Sequence, residues 1–289
     1  MNKATISYKS KNILIEKLEK QSNIEVIKEK SFFSKLFSKK EYADIYFHSG
    51  ILDEKSLQNI KNSKMTIVNS FSIKKDIIDE IENLNEKIEV IYPCINLKNQ
   101  NMQEIKTKKF EELKIDLEYK VIFFTAKNFK TSGVKEFLDI CSNLNYEKFK
   151  IIIAGTNQQI NSLKFQLNKY NNLQEKLILL EDHKNIDEIF MISDIFVLPT
   201  YNKSFSSNIL KAMFYENVVF VTTQNDAKEV VDVFATMSNP SDSSTAFKID
   251  AILNSQNDLE LIKKQNKDLA QEFRLESNLL KINSIIENV

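Results

Sequence analysis

The chain has 289 residues, 42% of them hydrophobic and 28% charged, with 40 basic against 40 acidic side chains and a formal net charge of zero. This is enough for one large or two small domains with their own cores, and the balanced charge excludes a nucleic-acid binder held by bulk electrostatics. Three glycines exclude the Gly-rich phosphate loops of the dinucleotide-binding and P-loop types, since neither pattern can be built from Gly50, Gly133 and Gly155.

Short apolar runs alternate with amphipathic ones along the chain. "ATISYKSKNILIEKL" (4–18) reads as a first strand and helix, and "ADIYFHSG" (43–50) as a strand followed by a helix from "LDEKSLQNIKNS". "MTIVNS" (65–70) is a strand, and "FSIKKDIIDEIENL" a helix with Ile73, Ile77, Ile78 and Ile81 on one face. "KIEVIYP" (87–93) is a further strand. The polar stretch 97–117 reads as a linker, after which the rhythm restarts. Strands are expected at 119–126, 149–155, 176–181, 194–200 and 218–223, with helices from "GVKEFLDICSNL", "NQQINSLKFQLNKY", "NIDEIFMIS" and about Ser206. The tail is expected to be helical.

The strands are continuous β-rich runs without polar alternation, which suits parallel sheets covered on both faces. Strand–helix–strand repetition implies right-handed crossovers and a doubly wound α/β layout. The expected organisation is a reduced Rossmann-like domain at 1–96, a linker at 97–117, a larger Rossmann-like domain at 118–273, and a C-terminal helix at 274–289 packing across the junction. In such sheets ligands lie beyond the carboxyl ends of the strands, so the loops after Ala126, Gly155, Thr200 and Thr223 are the places to look.

Only Arg274 is arginine among the basic residues, so an anion site must rest on lysine or backbone N–H groups. Cys94 and Cys141 are too few to frame the fold and read as reduced thiols of a cytoplasmic protein. No run approaches the ~18 apolar residues of a membrane span. No His, Cys, Asp or Glu cluster has metal-ligand spacing, so neither metal nor cofactor is expected.

The segments "MTIVNSFSIKKDI", "KIEVIYPCIN", "FFTAKNFKTSGVKEFL", "FKIIIAG", "DIFVLPT" and "NDAKEVV" occur in an order and spacing that resembles the retaining family 4 glycosyltransferases, enzymes of GT-B fold with two Rossmann-like domains. The resemblance runs from about Met65 to Phe273. It implies transfer of a sugar from a nucleotide-sugar donor to a surface-glycan or glycolipid acceptor in a bacterial cytoplasm, with peripheral contact at the inner membrane. Family members carry two glutamates eight positions apart after the "LPT"-like strand, one touching the transferred sugar and one the ribose hydroxyls. Here Lys203 and Lys211 match them. The family's diphosphate-binding arginine and lysine match Lys127 and Ser132, next to the retained Gly133, with Lys130 close enough in sequence to substitute. In "NDAKE", Asn225 and Glu229 fall in the donor segment, and Asp226 replaces the family's usual glycine. His48, in "YFHSG", is the residue that corresponds to the histidine many members place at the active site. The first domain shows no glycine-rich loop.

Two readings follow. In one the chain is an active transferase whose lysines meet the leaving diphosphate. In the other it is an inactive relative serving as a structural or protein-interaction module. An ammonium donates hydrogen bonds where a carboxylate accepts them, so the two lysines decide between these readings.

Overall fold

The computed structural model describes residues 3–27, 41–81 and 83–289, and the chain divides into two compact units, Met1–Asn96 with Phe273–Val289 and Leu97–Glu272.

The first unit is built on strands β1 (Ala4–Tyr8), β2 (Ile24–Val26), β3 (Ile45–His48), β4 (Met65–Val68) and β5 (Ile88–Val90), all parallel, in the order β2-β1-β3-β4-β5. The strand order reverses between β1 and β3, which makes that point the crevice of the sheet. Helices α1 (Ile13–Leu18), α2 (Glu54–Asn62) and α3 (Phe71–Glu80) start where a side chain can take the free first-turn amides. Asn12, Asp53 and Ser70 each accept from a backbone N–H three residues on. Helix α3 stops at Glu80, short of the expected 84, and Ile81 has extended backbone.

The second unit holds strands β6 (Lys120–Thr125), β7 (Phe149–Gly155), β8 (Leu177–Glu181), β9 (Ile195–Leu198), β10 (Val218–Thr222) and β11 (Thr236–Met237). Its parallel sheet runs β11-β10-β9-β6-β7-β8, so its reversal point lies between β6 and β9. The six residues Phe123, Phe124, Phe137, Phe149, Phe190 and Phe196 are all fully buried there. Phe123, Phe190 and Phe196 meet ring to ring at 4.9–5.8 Å. Each such burial is worth roughly 2–3 kcal/mol. Helices α4 (Met102–Glu112), α5 (Val134–Ser142), α6 (Asn157–Lys164), α7 (Ile186–Ile192), α8 (Ser207–Phe214), α9 (Ser244–Asn254) and α10 (Gln256–Ala270) complete it. The expected helix 157–170 breaks at Phe165 into 3-10 turns.

The stretch 97–117 corrects the linker expectation. It contains α4, which packs on α7 and belongs to the second unit. Its inward face is formed by Phe110 and by Lys109, whose ammonium bridges Glu112 at 2.9 Å and Glu188 at 2.8 Å. A lysine turned inward carries no apolar signal, so composition alone reads this helix as loop.

Of the tail, helix α11 (Leu275–Glu287) joins the first unit. Leu275, Ile282 and Ile286 enter one core with Leu14, Ile15 and Leu18 of α1. The chain is stitched there by Ile95 N–H to Phe273 O at 3.0 Å and Leu275 N–H to Ile95 O at 2.9 Å.

Candidate functional site

The carboxyl ends of β6 and β9 flank the reversal point of the second sheet, and the loops that follow them are locked together. Gly133 ends the β6 loop at φ +80, in the left-handed region. A β-carbon there would lie 1.9 Å from the carbonyl oxygen of Pro199 in the β9 loop. No side chain fits, so the two loops touch backbone to backbone because residue 133 is glycine. Tyr201 N–H then donates to Thr131 O at 3.0 Å, and the Asn202 side-chain amide to the same oxygen at 3.2 Å. The Tyr201 hydroxyl donates to Glu136 at 2.8 Å, a bond that raises the phenol's pKa.

A third loop, after β10, is sewn to the second. The Asn225 amide donates to Asn202 O at 2.8 Å and to Ser204 O at 2.9 Å, and its oxygen accepts from Ala227 N–H at 3.0 Å. Asp226 N–H donates to Lys203 O at 2.8 Å, and Gln224 and Thr222 both donate to Thr200 O at 2.8 Å. Asn225 is 1% exposed, so this residue, expected at the donor, spends its side chain holding the β9 loop in place. Asp226 is equally buried, and its carboxyl does not project from the surface as a replacement for glycine would suggest.

Beside these loops lies a cleft of about 920 Å³, lined by Lys127, Lys130, Lys135, Gln159 and Tyr201 among others. Helix α5 begins at its edge, and its N-cap, Gly133, offers no side chain to the first-turn amides. A helix N-terminus carries about half a positive charge and favours anions. Lys127 and Lys130 are exposed, whereas Ser132 is buried and its N–H is used by Asn128 O at 3.1 Å. The loop is held from the other side by α6, whose Gln159 amide donates to Lys127 O at 3.1 Å. Phe129 covers Gly155 so closely that a β-carbon on it would lie 2.4 Å from the ring.

Lys203 is exposed in the β9 loop and Glu229 partly exposed at the end of the 3-10 turn Asp226–Glu229. Lys211 is on α8 and is not a bare ammonium. Its Nζ lies 2.7 Å from Asp187 Oδ1 in the first turn of α7, with about a quarter of each side chain exposed. The local charge at position 211 is therefore neutral. Sequence reasoning missed Asp187: it lies 24 residues from its partner, and the only visible sign was an acidic first turn in "NIDEIFMIS".

His48 ends β3 at the reversal point of the first sheet. It is 2% exposed, and neither ring nitrogen has a hydrogen-bond partner among the described residues. Burial, with help from Lys9, lowers its pKa to about 4, so the ring is neutral at ordinary pH. Lys9 itself reaches Asp53 at 2.8 Å and Ser56 at 3.1 Å, and also the Ile51 carbonyl. Among the described residues no group of three His, Cys, Asp or Glu could hold a metal, and no helix is long and apolar enough to cross a membrane.

Known proteins share this architecture. The structure of Anabaena HepE in complex with UDP superimposes with a TM-score of 0.78 over 100% of both chains at 13% identity. A glycosyltransferase from Rickettsia africae gives 0.73 over 100% of this chain and 99% of that one at 15% identity. WaaG, a glycosyltransferase involved in lipopolysaccharide biosynthesis, gives 0.69 over 98% and 99% at 11% identity. No curated protein matches the chain by sequence. These likenesses establish the GT-B fold of two Rossmann-like domains. The family described as glycosyl transferases group 1 matches residues 105–269, more than half of the chain, and the protein belongs to that family.

Proposed function

We propose that the protein is a retaining glycosyltransferase that takes a hexose from a nucleotide-diphosphate donor, and that the second unit holds the nucleotide. The observation that carries this reading is the backbone contact of Gly133 with Pro199. It fixes an uncapped helix N-terminus and the lysine-rimmed cleft at the reversal point of the sheet. Lys127 and Lys130 meet the diphosphate as point charges, and the Lys135 and Glu136 amides of α5 add to them, the Val134 N–H being taken by Phe129 O at 3.0 Å. As the sugar leaves, negative charge grows on the diphosphate, and fixed cations already facing it stabilise that state more than the ground state. Lys203 and Glu229 sit at the sugar end of the donor. Asn225 acts as a positioning residue through the β9 loop. His48, buried and neutral, keeps the end of β3 in place. The UDP and UDP-glucose complexes of HepE support a nucleotide donor of this kind. The acceptor is a bacterial surface glycan or glycolipid, met from the cytoplasm with peripheral contact at the inner membrane, in keeping with the lipopolysaccharide role of WaaG.

The second reading, an inactive module that docks a protein partner, is favoured by lysine at both positions where the resemblance implies glutamate. Incubating the protein with a panel of nucleotide sugars and a lipid-linked acceptor mixture separates the two. Release of nucleoside diphosphate that falls at least tenfold in Lys127→Ala/Lys130→Ala supports the transferase. Tight nucleotide binding without release supports the module.

A further inference from the structure

Of the described residues that line the cleft, Glu136 is the one acid, against the three bases Lys127, Lys130 and Lys135. All three lysines are exposed, and among the described residues no hydrogen bond or ion pair reaches their ammoniums. Lysines pair readily elsewhere in this chain: Lys109, Lys164, Lys211 and Lys263 each have a carboxylate within 2.9 Å. Glu136 pairs with none of its three neighbours in the cleft. Its Oε1 accepts from the Tyr201 hydroxyl at 2.8 Å.

Tyr201 is well placed to hold that carboxylate. Its backbone N–H is fixed on Thr131 O at 3.0 Å, beside the Gly133–Pro199 contact. Its bond to Glu136 raises the phenol's pKa, so the hydroxyl stays a protonated donor at ordinary pH. Glu136 is the third residue of α5, with a flexible side chain next to Lys135. Left to itself, a carboxylate among three cations turns toward them, because opposite charges attract and like charges do not. A phenol is neutral. It fixes the carboxylate without consuming any of the positive charge of the cleft. Folding alone needs only some donor for Glu136, and a lysine would serve as well.

We propose that Tyr201 is a positioning residue: by holding Glu136 it keeps the acid of the cleft off Lys127, Lys130 and Lys135, so that these remain open to the donor's diphosphate. This rests on the nucleotide-donor reading above. Glu136 is then an internal competitor held in check. Released, it pairs with the lysines and repels the incoming phosphates.

Calorimetry on the intact protein with UDP, GDP, ADP and inorganic pyrophosphate tests the assignment. Tyr201→Phe is expected to bind about fivefold more weakly, the worth of one surface ion pair, with a smaller difference at high salt. Tyr201→Phe/Glu136→Gln is expected to return to the wild-type affinity, a rescue that a loop merely loosened by the lost contact does not show. Wild-type affinity in Tyr201→Phe, or a loss that the second substitution leaves in place, overturns the proposal. So does weaker binding by Glu136→Gln alone, since the carboxylate then serves the ligand directly. If Tyr201→Phe does not fold, Glu136→Asp takes its place, one methylene too short to reach the phenol: weakened binding supports the proposal and unchanged binding overturns it. A nucleotide that binds wild type and Tyr201→Phe alike sinks this inference and leaves the donor reading standing. Pyrophosphate showing the loss and rescue while no nucleotide binds does the reverse, and folded wild type that binds none of the four sinks both.

Discussion

Single atoms decide the geometry of the loops. The missing β-carbon at residue 133 is required twice, once by φ +80 and once by the 1.9 Å that would separate it from Pro199 O. Gly133→Ala is therefore expected to cost at least ~2 kcal/mol in denaturant unfolding and to weaken nucleotide binding by shifting the β6 loop. An unchanged midpoint and affinity would show that the loops yield easily. At His48 the consequence is a pH dependence. Its folded pKa is lowered to about 4, against about 6.5 in the unfolded chain, so folding holds the neutral form. The stability tied to it is whole above about pH 6.5. It falls by up to ~1.4 kcal/mol per pH unit as the unfolded chain takes up the proton, and levels off near pH 4. Comparing wild type with His48→Phe between pH 7 and 4 should show a smaller loss in the variant, by a few kcal/mol. Equal pH profiles would contradict the burial account.

At the scale of elements, the β-rich runs and the amphipathic runs between them were readable because they repeat a physical rule: apolar strands for a covered parallel sheet, and one apolar face on each helix. Helix α4 was not, because Lys109 faces inward and is neutralised by Glu112 of its own helix and by Glu188 of α7. β11 escaped because two residues, Thr236 and Met237, leave no pattern. Asp194 shows a similar contact across the chain. It is 1% exposed, accepts from Val121 N–H and from Lys263 Nζ, both at 2.9 Å, and so ties α10 to the start of β6. Burial pushes its pKa up, but Lys263 and Lys106 outweigh this and hold it below the usual carboxylate range. Asp194→Asn leaves Lys263 buried without its counter-charge and should destabilise by about 3 kcal/mol in chemical denaturation. A loss below ~1 kcal/mol would mean that Lys263 swings to water or to Glu260, 3.7 Å away.

For the whole molecule, the sequence carried the two doubly wound sheets and the glycosyltransferase resemblance, since strand order and loop spacing are written in the chain. The chemistry of the site was less visible. Lys211 stands where the resemblance implies a glutamate and is paired with Asp187, and the Asn225 amide is bonded to the β9 loop. Both facts depend on which loops the sheet brings together, and neither partner is a sequence neighbour. The central claim is that these loops still grip a nucleoside diphosphate although lysine stands at both positions of the family's glutamates. Titrating folded protein with UDP, GDP and ADP in a calorimeter tests it most directly. The account predicts saturable one-to-one binding of one of the three, weakened at least tenfold in Lys127→Ala/Lys130→Ala. No heat from any of them, with the protein shown to be folded in the same cell, would contradict it.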